Sequence, residues 1–509
     1  MRRVHLSYVI CLILTASNAF GQTFGEWAEI AGITGTKTLI RAKSKNIDSL
    51  TGLANNYPVL QNLNLWNNPI TAIHQNDLQG LTNLEMLSFE DNDVSNIEEG
   101  SFADLYNLTS LSFLRNQLTN IDQGDFEGLT NLSYLNLRGN KISSIESFCF
   151  SGLDNLQRLE LGNNQISGII TQENFSGLIN LAYLYLFDNQ ISNIEQGTFS
   201  GLENLEMLDL SHNLISSIEA GDFEGLDNLQ ILRLAHNQIS NLKTGSFDGL
   251  DSLETLSLDE NQIRSIEQED FEGLNNLHKL YLPDNQISSI DKGDFGELSN
   301  LQELVLFRNQ ISFIEDYSFS NMGSLETLLL DFNYDLRVLN FKGADLSSLQ
   351  WISVYDSPIE IVNLSESALN QDSFDALMVG SSTYQELGVG LAEIDGVSEL
   401  DMSNVDFSGI GDLSAMYGLG DLVRLILADT VGLDGGEVML LTDELVSLNY
   451  LDVSGVWDSW YEGGAYSAAQ LELMEWDAIE GNTLVVPEPG TILLLGLGWF
   501  GLALSKKRV

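Results

Sequence analysis

Apolar residues recur along most of this chain in one short figure, LxxLxLxxNxI, in which leucines alternate with polar neighbours and then give way to an asparagine. It begins as LQNLNLWNNPI at Leu60, continues as LEMLSFEDNDV, LTSLSFLRNQL and LSYLNLRGNKI, and runs on to LQELVLFRNQI. Leu63 and Leu65, with one polar residue between them, predict a short strand with one buried face. The asparagine stands where the chain leaves the strand, and its amide can satisfy backbone groups of the turn that a leucine could not.

These asparagines fall at Asn68, Asn92, Asn116, Asn140, Asn164, Asn189, Asn213, Asn237, Asn261, Asn285, Asn309 and Asn333, always 24 residues apart except for one step of 25, where SGIITQENF carries an extra residue. A fixed period of this length predicts a solenoid with one strand per coil, stacked into a parallel sheet. The other half of each coil has its own signature, FADL, FEGL, FSGL or FDGL. It sets Phe102, Phe126, Phe150, Phe175, Phe199, Phe223, Phe247, Phe271, Phe295 and Phe319 in one slot, predicting a stack of phenyl rings, with the following glycine permitting a tight bend. Beyond Asn333 the period loosens, but Ile352, Leu377, Leu400, Leu425 and Leu451 continue the buried strand position, and Leu39 precedes Leu63 by one step. About eighteen coils are expected in one continuous solenoid at residues 36–455, regular over 60–335 and degenerate over 336–455.

This pattern resembles the leucine-rich repeat family, in its 24-residue type. The resemblance implies an α/β solenoid, a curved horseshoe with its parallel sheet on the concave face, that binds partners through the residues flanking the leucines. Those positions hold Trp66, Tyr134, Tyr183, Tyr185, Phe187, Tyr281, Phe307 and Phe332, together with Arg115, Arg138, Arg158, Arg233, Lys279 and Arg308. Aromatic residues and arginines on one surface are the composition of an interaction face, and its centre is expected between Arg158 and Phe187. The cysteine-rich caps of animal extracellular members are absent. Residues 20–35, with Trp27, are the expected N-terminal cap. Residues 456–486, with Trp457, Trp460, Tyr461 and Trp476, are the expected C-terminal cap and linker.

Charge narrows the class of partner. With 22 Lys and Arg against 73 Asp and Glu the formal charge is −51, and Arg2, Arg3, Lys506, Lys507 and Arg508 at the ends leave the body more acidic still. Such a body repels nucleic acid and anionic membranes and favours cations. The residues before five successive asparagines read Asp188, His212, His236, Glu260 and Asp284, donors that in principle suit a divalent metal. The plainer reading, side chains facing water, is preferred, and no metal or other cofactor is expected. No GxSxG, HExxH, CxxC or phosphate loop is present, so no catalytic residue is assigned and the chain is read as a non-enzyme. Asn107, Asn131, Asn174 and Asn363 match the glycosylation sequon, which matters only in a glycosylating host.

Both ends look like addresses. MRRVHLSYVICLILTASNAFGQ has a basic start, an apolar run and small residues before a cut, so residues 1–19 read as a secretory signal and take Cys11 with them, leaving Cys149 alone between two phenylalanines. At the other end VVPEPGTILLLGLGWFGLALSKKRV joins Pro487, Glu488 and Pro489 to an apolar run of short transmembrane length over 491–505 and a basic terminus. Residues 487–509 resemble the PEP-CTERM sorting signal of Gram-negative bacteria, which implies handling by the membrane protease-transpeptidase exosortase and association with exopolysaccharide. The combined expectation is export through the inner membrane to the cell surface or matrix, with transient or permanent anchoring by the tail. There the chain would bind a protein or polysaccharide ligand through its concave face. The alternative is a structural matrix component acting through its acidic, cation-binding surface.

Overall fold

The computed structural model describes residues 21–379, 397–410, 412–419, 421–428, 430, 431, 433, 438, 441, 445, 447–453 and 483–485. The chain is a parallel-sheet β-solenoid of about 17 turns, against about eighteen expected. It divides into two compact units, Met1–Ile311 and Ser312–Val509. The signal segment, the aromatic stretch Trp457 to Trp476 and the tail with Pro487, Glu488 and Pro489 lie outside the described residues.

In the first unit one three-residue strand per coil runs from Leu39–Arg41 through Asn62–Asn64 and onward to Glu303–Val305, each strand paired in parallel with its equivalent one coil later. Leucine is directly opposite leucine, as in Leu135, Leu159, Leu184 and Leu208, so the buried faces stack without slippage. Short second strands appear on the return side of several coils. The pair Ser167–Ile170 and Gln190–Ile194 contains a register shift at Gly168/Ile169, within the coil that carries the additional residue.

The asparagines form a ladder inside this stack. Asn213 is 5% exposed; its Nδ2 donates to Leu210 O and, one coil back, to Leu186 O, both at 3.0 Å, while its Oδ1 accepts from Ile191 N at 3.0 Å. The same set recurs at Asn237, Asn261 and Asn285. A second, exposed ladder was not anticipated. Asn83, Asn107, Asn131, Asn155, Asn204 and Asn228 each donate Nδ2 to a backbone carbonyl of the preceding coil at 2.7–2.8 Å. Two of the sequon asparagines, Asn107 and Asn131, are therefore structural rungs.

On the return side the phenylalanine rings stack as expected, with centroids 6.1–6.4 Å apart from Phe175 through Phe295. The glycine after them bends with a left-handed φ, and at Gly128 (φ 92°) a Cβ would lie 2.7 Å from Ala103 Cα. The residue before most of these phenylalanines is a buried polar one. Asp125, Asp222, Asp270 and Asp294 accept the backbone N–H three residues earlier at 2.7–2.9 Å. Burial raises their carboxyl pKa, to about 6 at Asp125 and about 7 at Asp294. Cys149 occupies the same position, is buried, and its thiol is pushed up by burial. Ahead of the first coils lies α1 (Phe24–Ala31), entered through a capping box between Thr23 and Glu26 and left through Gly32 in a left-handed conformation. It buries Phe24 and Trp27, with Phe24 edge-on to Tyr57 at 5.6 Å.

The second unit changes its strand line. Thr327–Leu329 pairs with Trp351–Ser353 in the expected line. Leu336, Leu339 and Phe341, however, repeat the LxxLxL figure only 11 residues after Leu325, Leu328 and Leu330, and form a second strand in the same coil. That strand, Val338–Asn340, starts the sheet that continues through Ile361–Asn363, Glu399–Asp401, Arg424–Ile426, Tyr450–Asp452 and Thr483–Val485. Where the expected line calls for a strand around Leu377 there is instead α2 (Gln371–Val379), which packs against Trp351–Ser353. Asn370 and Ser373 cap α2 reciprocally, and Phe374, Leu377 and Met378 bury one face at helical spacing. Leu400, Leu425 and Leu451 thus continue Leu339 and Val362, not Ile352.

Candidate functional site

The strand face of the first unit is built by register. Tyr134, Arg158 and Tyr183 are cross-strand neighbours in one column, and Asn136, Glu160 and Tyr185 in the next. Arg138, Gly162 and Phe187 follow two residues further along the same three coils. Strand geometry turns each of these away from the leucine core. The sequence-predicted centre is therefore one contiguous grid.

Its side chains hold one another. The Arg158 guanidinium lies 4.6 Å from the Tyr185 ring centre and 6.0 Å from that of Tyr134, and its Nε donates to Glu160 Oε1 at 2.8 Å. The Glu160 side chain is only 8% exposed, whereas Arg158 remains 44% exposed, so the carboxylate is withdrawn from water and the guanidinium is not. Tyr183 donates its hydroxyl to Glu206 at 2.7 Å, a bond that holds the phenol above its usual pKa. Burial raises Tyr134 and Tyr185 as well. Arg138 stacks 4.7 Å over Phe187 and donates through Nε to Asn163 at 2.8 Å. Phe187 lies over Gly162, where a Cβ would come within 2.6 Å of ring atoms.

The other predicted residues form smaller groups elsewhere. Trp66 donates its indole N–H to Asp91, has Lys43 over its ring, and shares Asp91 with Arg115 at 3.7 Å. Lys279 and Tyr281 both reach Glu303, at 3.3 and 3.1 Å, and burial with that charge pushes Tyr281 up to about 12. Arg308 lies 5.8 Å from the Phe307 ring and 3.7 Å from Asp284. Arg233 faces the mostly buried Asp209 at 3.5 Å.

Arg138 aside, every predicted base on this face stands against an acid. Arg158 acts as a neutralised spacer between two aromatic rings, and the paired bases do not make a cationic surface. Asp91, Glu160, Asp209 and Glu303, which help make this so, were missed from sequence, as were Glu206 and Gly162, which meet Tyr183 and Phe187. Arg158 and Glu160 are legible in LQRLEL as a same-side i, i+2 pair, and Gly162 as the small residue one coil before Phe187.

The histidine and carboxylate column has a backbone cause. Asp188, His212, His236, Glu260 and Asp284 have φ between 51° and 54°, the left-handed region that aspartate, asparagine and histidine enter most readily among residues with side chains. His212 and His236 stack at 3.9 Å, and His236 Nδ1 lies 2.8 Å from Glu260. Among the described residues no group of three or more His, Cys, Asp or Glu is placed to hold a metal. Nor is any helix among them long and apolar enough to cross a membrane.

Comparison with known proteins follows this geometry. The family model described as leucine rich repeat matches residues 58–113, 90–142, 107–166, 131–191, 179–239, 227–287 and 275–334. The PEP-CTERM protein-sorting motif matches residues 485–508 and indicates export and cell-surface sorting. Among solved structures the chain is similar to the Toll–Spatzle complex of Drosophila, at 20% identity and a TM-score of 0.56, covering 84% of this chain and 68% of that one. It is also similar to a leucine-rich repeat protein of Leptospira interrogans (19% identity, TM-score 0.45, 91% and 100% covered) and an internalin of Listeria monocytogenes (20%, 0.41, 71% and 85%). No curated protein matches it. Proteins with this fold are typically binding scaffolds without catalytic activity. Stacked leucine strands, an internal asparagine ladder and family matches that run without a break from residue 58 to 334 agree: this chain belongs to the leucine-rich repeat family.

Proposed function

We propose that the chain is an exported, surface-sorted protein that binds a protein or polysaccharide partner through the grid from Tyr134 to Phe187. One observation carries the reading: Tyr134 and, two coils on, Tyr183, Tyr185 and Phe187 are held by Asn136, by Glu206, by Arg158 with Glu160, and by Arg138 over Gly162, before any partner arrives. Rings already fixed lose little conformational freedom on binding, which is where an aromatic interface gains its affinity. Trp66, Arg115, Arg233, Lys279, Tyr281, Phe307 and Arg308 extend the surface to either side. In this reading the segment 491–505 holds the chain at the membrane until exosortase acts near Pro487, Glu488 and Pro489.

The test is affinity capture from extracellular protein and polysaccharide fractions with the full chain and with a variant carrying Tyr183→Ala, Tyr185→Ala and Phe187→Ala. Capture that the variant loses supports the proposal, and equal capture by both proteins refutes it. The charge of −51 supports a second reading, a matrix component retained through cations. In that case a chelator releases the protein and the aromatic variant behaves as wild type.

A further inference from the structure

The repeats supply their own controls. At the left-handed position before each ladder asparagine, successive coils place Asn67, Asp91, Arg115, Gly139, Asn163, Asp188, His212, His236, Glu260, Asp284 and Arg308, then Phe332; in the next coil Asp356 holds this position before Ser357. Phe332 is the one apolar residue in this series, and at φ 58° it holds a conformation that penalises a bulky side chain. Two residues on, where the preceding coils mostly carry glutamine, stands Tyr334, and one coil further along is Tyr355. Tyr334 is 62% exposed and Tyr355 52%. Their rings surround Phe332, with centroids at 6.3 and 5.5 Å and interplanar angles of 58° and 82°. Neither tyrosine hydroxyl makes a hydrogen bond among the described residues, unlike those of Tyr134, Tyr183 and Tyr281.

Core packing explains neither the two exposed tyrosine rings nor a half-buried phenylalanine on a left-handed backbone. We propose that Phe332, Tyr334 and Tyr355 form a binding site in the second unit for the rings of an uncharged saccharide. The three rings are splayed, so they offer separate faces to the C–H surface of a sugar and form no single pocket for an apolar side chain. Asp335 and Asp356, both exposed, flank them with acceptors suited to hydroxyl donors. The same carboxylates, on a chain of −51, oppose an anionic polysaccharide. This site is independent of the Tyr134 to Phe187 grid and does not rest on it.

The test titrates the full chain by calorimetry with cellohexaose, laminarihexaose, maltohexaose and chitohexaose, and with alginate as the anionic comparison. At least one neutral hexamer binds, Tyr334→Ala and Tyr355→Ala each weaken it tenfold or more, and the Tyr183, Tyr185, Phe187 triple variant binds as wild type. Phe332→Asn restores the residue type this turn prefers, so it loses binding while its Tm equals or exceeds that of wild type. Failure of every neutral hexamer, tighter binding of alginate, or loss of binding in the triple variant overturns the proposal. So does a Phe332→Asn variant with a lower Tm, because the ring would then be structural. Capture of a basic peptide with the same dependence on Tyr334 and Tyr355 overturns it in favour of a protein ligand.

Discussion

Replacing Asn213 with leucine asks how much one rung of the inner ladder contributes. Leucine branches at the same carbon and fills similar space, so the change removes hydrogen bonds without opening a cavity. Ile191 N then loses its partner inside a site that is 5% exposed, while Leu186 O and Leu210 O each lose one bond but keep another, from Asn189 and Asn237. Stranding one buried donor costs about 1–3 kcal/mol and losing one of two bonds at each carbonyl about 0.5–1.5 kcal/mol, against ~1–2 kcal/mol gained by burying apolar atoms, for a net loss of about 1–4 kcal/mol. Asn228 is the control, since it stands in the exposed outer ladder with a single bond to Glu203 O at 2.8 Å, and water can replace that bond. Asn228→Ala should cost no more than about 1 kcal/mol. Urea unfolding of the full chain followed by far-ultraviolet circular dichroism measures both. Coils are coupled only to their neighbours, so the leucine variant should also show a broadened or split transition as the two sides of the stack separate. A loss under ~1 kcal/mol for Asn213→Leu, or one no larger than for Asn228→Ala, would refute the ladder argument.

Two further outcomes follow from neighbouring features. The Asp294 carboxyl titrates near 7 in the fold against 3.8 ordinarily, so the folded chain binds the extra proton between those values and stability falls as pH rises through that window. Asp294→Asn keeps the acceptor, as Asn174 does for Thr171 N at 2.8 Å in the same position, and should raise Tm at pH 8 while changing it little at pH 4; a lower Tm at pH 8 contradicts the assignment. Gly162→Ala should leave Tm nearly unchanged, because this glycine has no left-handed φ, yet displace Phe187 and weaken partner capture. Full capture by that variant would show that the position of Phe187 does not matter.

The periodic part of the fold was legible because one residue pattern met one physical demand in every coil. From Leu63 onward leucine, asparagine and phenylalanine each fell in register, and the structure stacks them so; one coil earlier it is Ile40, and not the expected Leu39, that lies buried opposite Leu63. The loosened region was harder. Leu336, Leu339 and Phe341 announce a second strand, yet a search at 24-residue spacing passes over a figure that returns after 11, and Leu377 fits that spacing while belonging to α2. For the Asp188 to Asp284 column the residue types alone could offer a metal site as the lesser reading, because side chains were visible and the left-handed φ that selects them was not. At the grid the sequence showed which aromatics share a face. It did not show that Glu206 fixes Tyr183, since that depends on which acid a long side chain reaches across coils.

The ladders have a mechanical consequence. Each coil of the regular array is fastened to the next by much the same bonds, so no single coil is an obvious weak link when the chain is pulled from its tail. Under tension it should pay out one coil at a time, releasing roughly 80 Å per 24 residues. A surface protein built this way yields in equal steps under load, and each released coil can rewind on the template of its neighbour when the load falls.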